Sequence, residues 1–84
     1  MLYEINNALA KEKPSKDELV SLIYTYDSFE VYHRLFELHG EGMGKEEYIF
    51  FLNRYLRIFD LSFAPLPEIC EELNKKWGIK NVSD

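Results

Sequence analysis

Two histidines, one cysteine and two pairs of adjacent carboxylates are the residues whose types could perform acid, base or nucleophilic chemistry: His33, His39, Cys70, Glu46-Glu47 and Glu71-Glu72. Such chemistry needs a base within hydrogen-bond reach of the group it activates. The spacing here argues against it. Neighbouring residues on a helix are turned about 100° apart, so neither Glu-Glu pair forms a shared acid/base site on one face. His39 falls on the apolar face of its helix and His33 on the polar face, so the two do not converge. His39 reads as a hydrogen-bonded core residue, and His33 as one member of a surface ion pair with Glu30 and Glu37. Cys70 lies on an apolar stripe, where burial raises the thiol pKa and leaves it inert. As the only cysteine, it allows no intramolecular disulfide and no cysteine-rich zinc site. The expectation is a non-enzymatic chain with no catalytic residue, no metal site, no cofactor and no evident small-molecule substrate.

Three stretches are similar to functional motifs. Between His39 and Glu47, glycines and acidic residues precede a long apolar helix, as in an EF-hand. Counting Glu47 as the twelfth position, however, puts Phe36, Leu38 and Gly40 where oxygen ligands belong. Asp27-Ser28-Phe29, at a helix start in a small acidic helical chain, resembles the motif of carrier proteins whose serine bears a phosphopantetheine arm. That resemblance covers three residues and implies Ser28 as the attachment site. No glycine precedes Asp27, and the aromatic helix from Lys45 has no counterpart in the family's pattern. From the residues alone, Asp27 is a helix cap. Leu66 to Ile79 resembles the first helix of a helix-turn-helix, but Ile79 to Asp84 is too short to supply a recognition helix.

One feature points to binding. On the helix from Lys45, the polar stripe runs Glu46, Asn53, Arg57 and Asp60, and Phe50 falls in its middle. Phe50, Arg54 and Arg57 are spaced i, i+4 and i+7 along one edge, and an aromatic flanked by arginines has the composition of an interface hot spot. Arg57 has Asp60 three residues on. Arg54 has no acidic residue at three or four positions either way, so its charge is free unless another helix supplies a carboxylate. These three residues are therefore the expected protein-binding surface, for a different protein or for a second copy of this chain.

The elements that position them follow from periodicity. Leu2, Ile5 and Leu9 mark a first helix that ends before Pro14. Ser15 with Glu18 has the form of a capping box, opening a second helix with Leu19, Val20, Leu22, Ile23 and Tyr26 on one face. A strand is the rival for this stretch, because Val20, Leu22, Tyr24 and Tyr26 alternate with other residues. The capping box and the lack of a partner strand favour helix. Asp27 with Glu30 repeats the start signal for a third helix carrying Phe29, Val31, Tyr32, Leu35, Phe36 and Leu38, with Gly40 placed to end it. Gly40 to Gly44 reads as a flexible loop. Lys45 to Asp60 is the longest periodic segment and the expected centre of the core, with Tyr48, Ile49, Phe51, Leu52, Tyr55, Leu56, Ile58 and Phe59 turned inward. Pro65 and Pro67 precede a last helix bearing Ile69, Cys70, Leu73 and Trp77, which Gly78 and Ile79 close with a left-handed cap. Trp77 is expected to be at least half buried.

The fold class is therefore all-α, a compact irregular or orthogonal bundle of about five short helices. Residues 1–79 form one domain and 80–84 a frayed tail. With 84 residues, 46% hydrophobic and 15% aromatic, the chain carries enough apolar surface for one core and too little length for two. The net charge of −5 repels phosphate backbones, which disfavours nucleic acid as a partner. A transcriptional regulator acting as a dimer and a carrier protein stand as alternatives to a small acidic regulatory, adaptor or inhibitor-type protein. The longest apolar run, Tyr48 to Leu52, cannot span a bilayer. The amino terminus has no basic region ahead of an apolar stretch, so a cytoplasmic location without a secretory signal is expected.

Overall fold

The second helix begins where a serine hydroxyl meets an orphan amide: Ser15 Oγ accepts from the Glu18 N–H at 3.2 Å. In the computed structural model, which describes residues 2–59 and 66–79, the helices are α1 (Leu2–Ala10), α2 (Lys16–Tyr26), α3 (Phe29–His39), α4 (Lys45–Ile58) and α5 (Glu68–Trp77). A 3₁₀ turn at Gly40–Gly42 joins α3 to α4. The all-α expectation holds, and no strand occurs among the described residues. The tail after Ile79, Pro65 and Asp60 lie outside them.

In α2 helical periodicity prevails over alternation. Leu19 and Ile23 are fully buried, whereas Tyr24, which a strand would have turned inward with Leu22, is 54% exposed. Only half of the capping box forms at its start, since the Glu18 carboxylate pairs with Lys11 Nζ at 2.8 Å. At the other end Asp27 does not open α3. It closes α2 in the left-handed conformation (φ 48°, ψ 52°), and its N–H donates to the Ile23 carbonyl at 3.1 Å. Ser28 takes the N-cap position of α3 without a side-chain cap bond. Aspartate tolerates the left-handed region better than most residues, so the turn stays two residues long.

Gly40 ends α3 as its position indicates, but without the left-handed turn usual for such a glycine. Its backbone is right-handed (φ −59°, ψ −41°), and what it supplies is space. A Cβ there would stand 2.9 Å from Leu73 Cδ1 of α5. The segment expected to be a flexible loop is a 3₁₀ turn, followed by a Met43 that is 2% exposed. Gly78 behaves as its sequence position indicates: it is left-handed (φ 67°), and the Ile79 N–H returns to the Asn74 carbonyl at 2.8 Å. This bonding satisfies the last carbonyls of α5.

The centre of the core is α3 rather than α4. It packs against α1, α2, α5 and the 3₁₀ turn, and buries Val31, Tyr32, Leu35 and Phe36 completely. From α4 come Tyr48, Phe51, Leu52 and Tyr55, and from α5 Cys70 and Leu73. Trp77 is more than half buried, as expected, whereas Ile58, expected to face inward, is 41% exposed. The rings of Tyr48 and Tyr55 pack α4 onto Phe36 of α3, and among the described residues nothing covers the opposite face of α4.

Candidate functional site

The uncovered face of α4 carries the candidate site. Its inward arc is fixed by Tyr48, Phe51, Leu52 and Tyr55, and the opposite arc presents Glu46, Phe50, Asn53 and Arg57, all exposed. Phe50 is 47% exposed and rests edge-on against Phe51, with ring centroids 5.2 Å apart. Together with Asn53, Leu56 and Arg57 it lines an open groove of about 500 Å³. Two smaller grooves lie elsewhere, one lined by Glu4, Asn7, Glu18, Ser21 and Leu22 and the other by Glu41, Ile69, Glu72, Leu73 and Lys76. Both carry paired acidic side chains. The α4 groove has none among the described residues.

The structure separates the three residues singled out from sequence. Phe50 and Arg57 stand together on the groove, and Arg57 has no ion pair or hydrogen bond among the described residues. Arg54 turns away into the fold. Its Nε donates to Tyr32 Oη at 2.9 Å and its Nη2 to Asp27 Oδ1 at 3.2 Å, while the guanidinium lies 4.9 Å from the centroid of the Tyr24 ring. One side chain of α4 thus ties down the α2–α3 joint. The carboxylate that sequence left open for Arg54 comes from 27 positions away, where helix spacing gives no signal. Asn53 and Leu56, which complete the groove, were not identified from sequence.

The groups that could do chemistry stay apart. His39 Nε2 is hydrogen-bonded to the Pro14 carbonyl oxygen at 2.8 Å, the core role expected of it. His33 Nε2 meets Tyr55 Oη at 2.9 Å, and its ring lies tilted against Phe29 with centroids 4.2 Å apart. The phenol contact turns the imidazole toward α4. Burial pushes the Cys70 thiol up to about 11 and the Tyr55 hydroxyl up to about 12. The Tyr48 hydroxyl, raised further still by burial, donates to Asn74 Oδ1 at 2.7 Å. A thiol so shifted is neutral at physiological pH. Asn74 was overlooked in sequence although a signal existed, since it follows Cys70 by four residues on the same helical face. Ser28 is partly buried at the start of α3, and the Asp27 carboxylate beside it is held by Arg54. Among the described residues no three His, Cys, Asp or Glu side chains gather to hold a metal ion, and no helix is long and apolar enough to cross a membrane.

Comparison with protein families, with curated proteins and with solved structures gives no match.

Proposed function

We propose that this chain is a non-catalytic protein-interaction module, a small acidic regulatory or adaptor-type protein of the cytoplasm, whose binding surface is the outer face of α4. The observation that carries this reading is Phe50. A phenylalanine 47% exposed in the middle of a polar stripe gains little from the fold, and a partner that covered it would gain the transfer free energy of its ring. Arg57 beside it is exposed and has no ion pair among the described residues, and can donate in a fork to a partner's carboxylate or carbonyl oxygens. Asn53 and Leu56 shape the floor of the groove. Arg54 borders this surface and holds α4 in place through Tyr32 and Asp27. The cytoplasmic assignment rests on the single cysteine, kept as a buried thiol.

The test is affinity capture from the native host with the wild-type chain and with Phe50→Ser in parallel, read by quantitative mass spectrometry. The proposal expects at least one protein to be retained by the wild type and lost, by about tenfold or more, from a Phe50→Ser chain that remains folded. Retention of the same proteins by both chains would contradict it.

A further inference from the structure

The outer face of α4 has a symmetry that names its occupant, an inference that rests on the binding surface proposed above. Its four residues recur at intervals of four, three and four: Glu46, Phe50, Asn53, Arg57. Such spacing is that of a helix-pairing seam. It reads the same from either end, with the charges opposite at the two ends. Glu46 and Arg57 are both exposed, and neither has an ion pair or hydrogen bond among the described residues, whereas the neighbouring Glu47 pairs with Lys16 at 3.0 Å.

Turning a second α4 end for end sets Glu46 opposite Arg57 and Phe50 opposite Asn53, and the two-fold axis repeats each pairing. A parallel copy would set like charges on each other. We propose that a second copy of this chain docks on this face, the two α4 helices antiparallel, with two Glu46–Arg57 ion pairs at the ends and two Phe50 rings enclosed between them. Each ring enters the other copy's groove beside Asn53 and Leu56, which is why that groove stands open in one copy. The interface is isologous, so assembly stops at the dimer. A helix of 14 residues offers only about 21 Å of contact length. The net charge of −5 on each copy opposes approach. The dimer is therefore weak and forms in a concentration-dependent way.

Sedimentation equilibrium of the full chain at concentrations up to about 1 mM tests this. The wild type should pass from monomer toward dimer. Arg57→Glu and Glu46→Arg should each weaken dimerisation about tenfold or more, and the combined Glu46→Arg/Arg57→Glu chain should recover it, because the exchanged charges again face each other. Circular dichroism on each variant checks that these exposed positions leave the fold intact. A wild type that stays monomeric throughout, or a double variant no tighter than the singles, overturns the inference. A monomeric wild type whose captured proteins are still lost with Phe50→Ser retires the second copy and keeps the surface. Loss of neither dimer nor captured proteins with Phe50→Ser retires both.

Discussion

The bond between Tyr48 and Asn74 shows how a single polar pair can be enclosed in an apolar core. Asn74 is 8% exposed and Tyr48 fully buried, and the phenol donates to the amide oxygen at 2.7 Å. Tyr48→Phe keeps the ring and its packing but leaves that oxygen with no donor. The expected cost is about 1–3 kcal/mol, the penalty for an unsatisfied buried acceptor. Urea denaturation measures it, and Tyr48→Phe combined with Asn74→Leu should cost less than the sum of the two single changes. Additive losses would show that the two side chains do not depend on each other. Asp27 and Arg54 illustrate the opposite case for a reader of sequence. Each residue type was noticed, one as a cap and the other as an unpaired charge, yet their meeting depends on how α2, α3 and α4 pack.

At the scale of the element, helix existence was legible and helix ends were less so. The apolar stripes of α2, α3, α4 and α5 appear where 3.6-residue periodicity puts them, Ile58 at the end of α4 excepted, because each amphipathic face has one way to reach the core. The ends turn on a few atoms. Asp27 carries the composition of an N-cap, but the chain uses its tolerance of positive φ to finish the preceding helix. Gly40 ends α3 where the sequence puts the stop, but it is also a point of close approach to α5, a tertiary fact with no local trace. That difference is measurable. Gly40→Ala keeps a permitted backbone conformation but forces the buried Leu73 side chain to shift, and the overpacking outweighs the gain from a stiffer unfolded chain, for an expected net loss of about 1 kcal/mol. Gly42→Ala meets nothing within 4 Å and should be close to neutral, whereas Gly44→Ala, equally open, replaces the N-cap of α4 and should cost up to about 1 kcal/mol for that separate reason. If Gly40→Ala proved as mild as Gly42→Ala, the packing of the 3₁₀ turn on α5 would be wrong.

For the whole molecule, the buried phenols and thiol link stability to pH. Cys70 rises to about 11 from an ordinary value of 9.0, Tyr55 to about 12 from 10.0, and Tyr32 and Tyr48 are raised as well, in every case chiefly through burial. The folded chain therefore holds these protons more tightly than the unfolded chain. Their contribution is complete below the unfolded values and is lost as pH rises through about 9 to 12. The urea midpoint should fall between about pH 8 and about pH 11, and a midpoint unchanged over that span would contradict the burial of these groups. The same core determines what is left outside it. With α3 at the centre, α4 covers one flank and leaves Phe50 in solvent, an arrangement the helical wheel indicated by stranding that ring among polar residues. The free energy of unfolding of Phe50→Ser against wild type, by urea denaturation, tests directly that this face belongs to a partner and not to the fold. The ring is 47% exposed and, among the described residues, its ring contact is the edge-on one with Phe51, so the predicted change is no more than about 1 kcal/mol. A loss of about 3 kcal/mol or more, the size expected for a core phenylalanine such as Phe36, would place Phe50 in the core and contradict the account.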